Sequence, residues 1–242
     1  MIIQKIKNKI HNKLKKIILG KDNIYYQKSY SQCFEDRFCL NLIKTLKLTN
    51  PIYLDIGCNH PINGNNTYLL YQQGYNGVLI EPIPSICNII RKERPNDVVL
   101  TIGVGENKDV KKLYEFNANV LSTFCKKDAD EIVKNSNGKY YITKEYEVEL
   151  LNINQIIQKY FVSCPNIISI DVEGLNLEII KVFDFKSYRP EIFIIETLNF
   201  TIDANETRID EIFSIMKLNG YMLYIDTYIN ALFIDEKKYR NR

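Results

Sequence analysis

The chain has 242 residues, 45% of them hydrophobic and 25% charged, which is enough to bury the core of one larger domain. Its formal net charge is +3, and because residues 1–21 carry seven lysines and no acid, the rest of the chain is acidic. An acidic body without a basic, aromatic-interleaved motif argues against nucleic acid as a partner.

Cysteine spacing and the length of apolar runs argue against further classes. The six cysteines include no CxxC pair and no Cys/His cluster at zinc spacing, which disfavours a disulfide framework and a structural metal site. No signal-peptide pattern is visible, and no apolar run approaches the roughly 18 residues of a membrane span. The sequence therefore predicts a cytoplasmic protein with reduced thiols.

Residues 1–21 have the pattern of a basic amphipathic helix. Apolar residues recur at three- and four-residue steps, with lysines around the other face; they are Ile3, Ile6, Ile10, Leu14 and Ile17. Such a helix is typical of peripheral contact with an anionic membrane surface, here the inner face. Docking of the apolar stripe on the domain or on a second subunit, with the lysines solvated, fits the pattern at least as well. We therefore divide the chain into this helix and a single domain, residues 22–242.

After a predicted helix from Ser31 to Leu46, short apolar runs and helical patterns alternate. The runs have the length and β-branched content of buried strands; they are Ile52–Ile56, Val78–Ile80, Val98–Ile102, Ile167–Ile170 and Ile192–Ile195. The helical patterns are Thr67–Gln73, Ser85–Arg94, Ile153–Tyr160, Leu175–Phe183 and Arg208–Leu218. Strand–helix–strand order predicts parallel strands with crossovers, and hence a three-layer α/β fold.

Two segments modify this scheme. Between Glu106 and Glu149, the alternating stretches 110–116 and 140–150 predict exposed antiparallel strands, as an inserted β segment or an extension of the sheet. The stretch Lys126–Lys139 between them is expected to be the least ordered part. Residues 220–235 predict two strands joined by a short turn, which would give the parallel sheet an antiparallel C-terminal edge hairpin.

The loop after the first predicted strand is a candidate binding site. Asp55 ends the apolar run, Gly57 takes the first glycine position of a G-x-G-x-x-G loop, and Asn59 occupies the second. A pyrophosphate is therefore disfavoured, and the acid would repel it further. The pattern suits a ligand with an ammonium group and no phosphate. Asn66 and Thr67 are expected to cap the helix that follows.

A second acid, Glu81, ends the second predicted strand, 26 residues after Asp55. Ligands of open parallel sheets bind outside the carboxyl ends of the strands, where an acid can accept hydrogen bonds from ribose hydroxyls. S-adenosylmethionine combines such a ribose with a zwitterionic amino acid end and a sulfonium. We expect Asp55 to reach its amino group directly or through water. Gly57 would let it lie against the backbone, and Asn59 would serve its carboxylate or cap the next helix.

Several segments together resemble the FkbM-type methyltransferase family. They are "YSQCFEDRF" (Tyr30–Phe38), "YLDIGCNHPINGNNTYLLYQQGYNGVLIEPIP" (Tyr53–Pro84), "ERPNDVVLTIGVG" (Glu93–Gly105), "LSTF" (Leu121–Phe124), "SIDVEGLNLEIIK" (Ser169–Lys181) and "PEIFIIE" (Pro190–Glu196). The resemblance implies a class I methyltransferase (Rossmann-like) sheet of seven strands and S-adenosylmethionine as donor. It also implies an oxygen acceptor on a small molecule, often a sugar in polysaccharide biosynthesis or secondary metabolism. The cofactor-binding candidates are then Asp55, Gly57, Asn59, Glu81 and Gly103.

The predicted strand Ile167–Ile170 leads directly to Asp171, and Glu173 follows at the entrance of a helix. In the methyltransferase interpretation this strand end lies beside the sulfonium methyl, so Asp171 is the first candidate for a general base or acceptor-orienting group. Glu173 is the second. His60, in the first loop, is a third candidate because an unperturbed imidazole titrates near neutral pH. The alternative for His60 is a packing role that shapes the loop.

A magnesium site is considered but not favoured. Asp171 and Glu196, with Asn199, would supply hard oxygen ligands, yet Glu196 fits equally well as an acid paired with an arginine or lysine. Ser122 and Thr123 are expected near the same end of the sheet. There they would contact cofactor or acceptor, or simply form a turn.

Three functions are compatible with these patterns. The leading prediction is methyl transfer from S-adenosylmethionine to a hydroxyl of a sugar, glycan precursor or other small metabolite. A dinucleotide-dependent oxidoreductase or epimerase is disfavoured by the missing glycine pair and the missing Tyr-x-x-x-Lys dyad. An inactive membrane-associated scaffold is disfavoured by the acids Asp55, Glu81 and Asp171.

Overall fold

The computed structural model describes residues 28–172, 174–199 and 207–242. The predicted N-terminal helix, residues 1–21, and the catalytic candidate Glu173 lie outside these ranges. Within them, none of the helices combines the length and the apolar character that crossing a membrane requires.

The strands of the described residues form two sheets. In chain order they are β1 (Ile52–Ile56), β2 (Asn76–Ile80), β3 (Val98–Leu100), β4 (Gly103–Val104), β5 (Asp109–Phe116), β6 (Ile142–Leu151), β7 (Ile167–Ile170), β8 (Ile192–Glu196), β9 (Tyr221–Asp226) and β10 (Asn230–Asp235). The central sheet has the order β3-β2-β1-β7-β8-β10-β9, in which β10 alone runs in the direction opposite to the other six strands. The predicted mostly parallel sheet with an antiparallel C-terminal hairpin is confirmed.

The helices connect these strands and cover both faces of the sheet. They are α1 (Glu35–Thr45), α2 (Tyr68–Gln72), α3 (Pro84–Glu93), α4 (Lys126–Asn135), α5 (Ile153–Tyr160), α6 (Asn176–Val182), α7 (Asp210–Leu218) and α8 (Glu236–Arg240). Helix α5 matches its predicted bounds because Asn152 and Gln155 form a reciprocal capping box at its start. A proline at the first position of α3, Pro84, marks the start of that helix in the same local way.

Side-chain alternation along each strand divides the core into two layers. Leu54 and Ile56 of β1 pack in a cluster with residues of α5, α6 and α7. Tyr53, on the opposite face, packs in a second cluster with residues of α1 and α3. Asp55 lies between Leu54 and Ile56 and therefore shares the face of Tyr53. This register decides the role of Asp55 in the site.

The inserted segment forms a small second sheet, in the order β4-β6-β5. Strands β5 and β6 pair antiparallel, as predicted. The third predicted strand was expected to reach Ile102, but β3 ends at Leu100. Beyond it, Gly103 and Val104 pair with Leu150 and Leu151 of β6 instead. The chain thus leaves the central sheet at this point and joins the small one.

The expectation of little order over Lys126–Lys139 is wrong for its first ten residues, which form helix α4. Ala129 and Ile132 are almost fully buried on this helix, where they pack against Tyr114 and Phe116. Two apolar positions among charged neighbours give a weak periodic signal. Contact with the small sheet, rather than local propensity, therefore stabilises the helix.

Candidate active site

A large cavity opens at the carboxyl ends of the central parallel strands, where the strand order reverses between β1 and β7. Its volume is about 1590 Å³. Such switch points are where open α/β sheets bind ligands. Its walls include four of the five predicted cofactor residues, namely Gly57, Asn59, Glu81 and Gly103, but not Asp55. They also include two of the predicted catalytic residues, His60 and Asp171.

Gly57 brings two strand ends into direct backbone contact. It adopts φ +80°, and its amide donates a hydrogen bond of 3.0 Å to the carbonyl of Ile80 at the end of β2. A Cβ atom at this position would lie 1.8 Å from the backbone carbonyl oxygen of Asp171 at the end of β7. Only glycine satisfies both the left-handed conformation and this close approach. The bare backbone forms part of the cavity wall.

The Glu81 carboxylate is buried at the cavity wall and accepts one backbone hydrogen bond on each oxygen. The amide of Asn59 donates to Oε2 at 3.0 Å, and that of Ile83 donates to Oε1 at 2.8 Å. Burial raises the pKa of Glu81 to about 7, although these two hydrogen bonds act in the opposite direction. Each oxygen keeps a second lone pair, so the carboxylate can still accept hydroxyl groups of a ligand.

Asp55 does not line the cavity, so of the two predicted ways of reaching the ligand's amino group, directly or through water, the structure provides no wall position for the direct one, and the contact stays a prediction. The apolar run continues to Ile56, so Asp55 lies inside β1 rather than at its end, and alternation turns it into the second core layer. Its Oδ2 accepts hydrogen bonds from Thr67 Oγ1 at 2.6 Å and Asn65 Nδ2 at 3.3 Å. Burial raises its pKa, and the nearby positive charge of Arg94 opposes that shift.

The start of helix α2 is capped differently from the prediction. Asn65 Oδ1 accepts from the amides of Thr67 and Tyr68, at 3.0 and 2.7 Å. Thr67 occupies the N-cap position, but its hydroxyl donates to Asp55 instead of capping the helix. Asn66 Nδ2 donates to Ser169 Oγ of β7 at 3.2 Å. These polar residues at the far end of the cofactor loop, residues 57–67, are thus committed to holding it.

Asp171 lies at the cavity wall beside a second acid, Glu196 at the end of β8. Burial and the neighbouring Glu196 carboxyl raise the pKa of Asp171 well above its usual range, with smaller contributions from Asp55 and Glu35. Glu196 Oε2 accepts a 2.9 Å hydrogen bond from Asn176 Nδ2. Two carboxyls so placed favour a shared proton. Glu196 therefore contacts an acid and an amide at this strand end.

His60 lines the cavity, but one of its nitrogens is already engaged in the loop. Its Nδ1 accepts hydrogen bonds from the amides of Ile62 and Asn63, each at 3.0 Å. An accepting Nδ1 places the remaining proton on Nε2. This geometry is that of the loop-shaping alternative. Glu173, the other catalytic candidate beside Asp171, lies outside the described residues.

The small sheet and the segment between β5 and α4 form another part of the cavity wall. A Cβ atom at Gly103 would lie 2.4 Å from Leu150 Cδ2 and 3.0 Å from the Phe124 ring, so a larger residue there would have to displace these two side chains. Ser122 and Thr123 also line the cavity, as expected from the sequence. Their hydroxyls are partly used in turns, because Ser122 Oγ accepts from the Phe116 amide at 3.1 Å and Thr123 Oγ1 from the Cys125 amide at the same distance.

Sequence patterns did not identify two groups of site residues. The first group lines the cavity from α1, α4 and α6 or their borders and includes Gln32, Asp128, Glu131, Asn135, Leu175 and Glu178. The second is a buried network centred on Arg94, which contacts Asn65 and Thr67 beneath the cofactor loop. Both depend on contacts between distant segments, for which a single sequence carries no periodic signal.

Within residues 28–172, 174–199 and 207–242, no three His, Cys, Asp or Glu side chains group in a way that could hold a metal ion. Asp171, Glu196 and Asn199 all line the cavity. As candidate metal ligands they comprise two carboxyl groups and one amide, and not three carboxylates or a set that includes histidine.

The strand order and the cavity at its reversal point match the class I methyltransferase sheet that the sequence resemblance implied. Residues 55–223 match the model of the methyltransferase FkbM domain. The chain belongs to the FkbM methyltransferase family, as its sequence resemblance indicated, and is an S-adenosylmethionine-dependent methyltransferase. This membership decides against a dinucleotide-dependent oxidoreductase or epimerase.

Solved structures similar to the chain include three bacterial methyltransferases. A TehB-like SAM-dependent methyltransferase from Corynebacterium glutamicum is 9% identical, with 95% of this chain and 97% of that chain covered and a TM-score of 0.41. An O-methyltransferase from Bacillus cereus in complex with SAH is 14% identical, with coverage of 86% and 84% and a TM-score of 0.43. A putative O-methyltransferase from Klebsiella pneumoniae is 9% identical, with coverage of 93% and 96% and a TM-score of 0.44. No curated protein matches the chain.

Proposed function

We propose that this methyltransferase transfers a methyl group to a hydroxyl of a sugar, glycan precursor or other small metabolite. The observation that carries the proposal is the Asp171–Glu196 carboxyl pair. Asp171 adjoins the Gly57 backbone in the same cavity that holds Glu81. A paired carboxyl with a raised pKa is a stronger base than an isolated one, and a hydroxyl acceptor needs a base as it loses its proton.

The cavity fits S-adenosylmethionine at three points. The Glu81 carboxylate has free lone pairs for two ribose hydroxyls. The side-chain-free Gly57 admits the ribose and methionine portion to the backbone. Asp171 and Glu196 place negative charge where a sulfonium would be stabilised. When bound, S-adenosylmethionine supplies an electrophilic methyl group.

The chain's own residues then orient the acceptor and take its proton. Asp171 accepts a hydrogen bond from the acceptor hydroxyl and thereby directs the oxygen toward the methyl group. The Asp171 carboxylate takes the hydroxyl proton as the acceptor oxygen becomes methylated; the donor would supply the methyl group and keep on its sulfur the electron pair of the broken carbon–sulfur bond. Glu196 stabilises the protonated pair by sharing the proton. Alignment of oxygen, methyl carbon and sulfur contributes the remaining acceleration.

The charge of the cavity supports a neutral or cationic acceptor. Acids predominate among the described charged residues that line it: Glu81, Glu106, Asp128, Glu131, Asp171, Glu178 and Glu196. Lys111 is the one lysine or arginine among the described lining residues. Such a field repels phosphate and carboxylate groups. Free sugars, glycosides and neutral glycan precursors are therefore better candidates than nucleotide-linked sugars.

Mass spectrometry with a panel of acceptors tests the proposal. Purified protein and S-adenosylmethionine are incubated with neutral glycosides, amino sugars, sugar nucleotides and small phenols, and products are searched for a gain of one methylene unit. We expect gains on hydroxyls of neutral or amino sugars that disappear in Asp171→Asn. Methylation confined to nitrogen or carbon atoms, or full activity of Asp171→Asn, would refute hydroxyl methylation assisted by this base.

A further inference from the structure

Arg94 is a fully buried arginine that the methyl-transfer chemistry does not use. Its side chain has no exposed surface and pairs with Asp97, which is equally buried, at 2.7 Å. Burying an ion pair costs desolvation free energy, and a hydrophobic pair of the same volume is often at least as stable. Fold stability alone is therefore a weak reason for a charged residue here. Its hydrogen-bond partners indicate another role.

The guanidinium donates to two polar residues at the far end of the cofactor loop. Nη1 donates to Asn65 Oδ1 at 3.0 Å, and Nη2 donates to Thr67 Oγ1 and to the hydroxyl of Tyr53, each at 2.9 Å. Asp97 completes the arrangement by accepting from the Tyr53 hydroxyl and from the Gly77 amide. The network therefore connects β1, β2 and the loop through one planar side chain.

Asn65 and Thr67 pass this restraint on to the part of the loop that lines the cavity. Asn65 Nδ2 donates to the backbone carbonyl of Cys58 at 3.3 Å, directly after Gly57. The same amide and the Thr67 hydroxyl both donate to Asp55 in β1. Arg94 thus lies two hydrogen bonds away from the Gly57–Asn59 backbone, although it does not itself line the cavity.

The loop needs such a restraint because it has no regular structure of its own. Residues 57–67 contain no helix or strand, so backbone ladders do not hold them. Asn59 also has a left-handed φ of +47°, which costs a non-glycine residue some free energy and persists when surrounding contacts hold it. At the near end, the carbonyl of Ile80 holds the amides of Gly57 and Cys58. At the far end, the Arg94 network holds Asn65 and Thr67.

We propose that Arg94 is a positioning residue for the cofactor site, which holds the Gly57–Asn59 backbone in its binding conformation through Asn65 and Thr67. It sets affinity for the nucleoside cofactor without touching it. This inference requires only that the site binds S-adenosylmethionine, whichever acceptor is methylated. Its tests can therefore fail or succeed independently of the proposed hydroxyl acceptor.

Four variants test this role. Arg94→Met removes every hydrogen bond of the guanidinium, and Arg94→Lys keeps the charge but lacks the planar arrangement of donors. Thr67→Val removes the hydroxyl that joins Arg94 to Asp55 at nearly constant volume. Arg189→Met is the matched control, because Arg189 is also an ion-paired arginine packed on a tyrosine, with Asp235 and Tyr221, but lies at the opposite end of β8 from the cavity.

The first measurement is the dissociation constant for S-adenosylhomocysteine by titration calorimetry, with the fitted stoichiometry reporting the folded fraction. We expect Arg94→Met and Thr67→Val to weaken binding by roughly tenfold or more, as for broken side-chain networks elsewhere. Arg94→Lys should fall between wild type and Arg94→Met. Arg189→Met should lower the thermal midpoint and leave the dissociation constant unchanged. This difference separates positioning from general destabilisation.

The second measurement needs no cofactor. Amide hydrogen exchange of a peptide covering residues 58–68 should be faster in Arg94→Lys and Thr67→Val than in wild type, with β7 and β8 protected as before. Wild-type affinity together with wild-type loop exchange in Thr67→Val and in whichever Arg94 variant folds would overturn the proposal. Should Arg94→Met fail to fold, Arg94→Lys and Thr67→Val decide the outcome.

Discussion

The backbone carbonyl oxygen of Asp171 lies 1.8 Å from the point that a Cβ atom of residue 57 would occupy. The end of β7 is therefore packed directly on the loop that follows β1. The same contact brings the proposed base next to the backbone on which the cofactor would lie. The proposed base and the proposed cofactor surface thus share one backbone contact, rather than lying on two independent loops.

Gly57→Ala should disrupt this contact. The left-handed conformation alone costs a non-glycine residue roughly 1 to 2 kcal/mol, and the overlap with a backbone oxygen forces the loop away from β7. We expect a lower thermal midpoint and loss of measurable S-adenosylhomocysteine binding. Circular dichroism and titration calorimetry check the two effects.

Gly74→Ala provides the matched control for this prediction. Gly74 has φ +89°, but a Cβ atom added there would meet no atom within 4 Å, and the residue does not line the cavity. It should lose stability from the backbone conformation alone and bind S-adenosylhomocysteine normally. Equal binding by both variants would mean that the close approach at residue 57 is unimportant for the site.

His60→Asn separates loop shaping from acid–base catalysis. An asparagine oxygen can accept from the amides of Ile62 and Asn63, as Nδ1 does here, because this is the geometry of an Asx turn. The variant keeps the loop but removes the imidazole. We expect methyl transfer within a few-fold of wild type, whereas His60→Ala should weaken cofactor binding. A large loss of turnover in His60→Asn with normal cofactor affinity would instead identify His60 as the base.

Asp171→Asn should reduce turnover by about 100-fold or more, the usual contribution of a general base, and should change S-adenosylhomocysteine affinity much less.

In wild type, turnover should rise with pH through the raised pKa of Asp171, since the ionised form accepts the proton. Glu196→Gln removes the neighbouring negative charge and should shift that rise to lower pH. An unshifted profile would show that Asp171 is not the titrating group. Initial rates across a pH series provide the measurement.

The central sheet was accessible from the sequence because buried parallel strands are continuous β-branched runs. The segments Ile52–Ile56 and Ile167–Ile170 match their observed bounds for this reason. The end of the third strand and the presence of helix α4 could not be predicted from the sequence in the same way. Both are decided by contacts with the small sheet, which pairs Gly103 with Leu150 and buries Ala129 and Ile132.

The same distinction applies to the site. Gly57 and Glu81 could be placed at the cavity from their positions beside apolar runs. Asp55 was misplaced because a shift of one residue along a strand moves a side chain to the other face. Arg94 gave no signal, since its partners Tyr53 and Asn65 lie far away in the sequence and an arginine near an aspartate is usually a surface pair.

Glu81 should make the protein less stable as pH rises. Its pKa is 4.5 in an ordinary environment and about 7 in the fold, so the folded state binds more protons between these values. The free energy of unfolding therefore falls through this window, by up to about 3 kcal/mol from this group. Urea unfolding of wild type and Glu81→Gln at about pH 5 and pH 8 measures it. The difference in unfolding free energy between wild type and Glu81→Gln should change by this amount between the two pH values. A difference that stays constant with pH would exclude a raised pKa of Glu81.

Cofactor binding should follow the opposite trend with pH. The ionised Glu81 carboxylate accepts hydrogen bonds from both ribose hydroxyls, whereas the protonated form must give up one acceptor position to its own hydrogen. Affinity for S-adenosylhomocysteine should therefore increase as pH rises through about 7, and binding should release a proton. Calorimetry in buffers of different ionisation enthalpy detects that release. Glu81→Gln should bind more weakly and without pH dependence over this range, because its amide cannot titrate. A pH-dependent affinity that persists in Glu81→Gln would assign the titration to another group, and a pH-independent wild type would mean that the ribose does not contact this carboxylate.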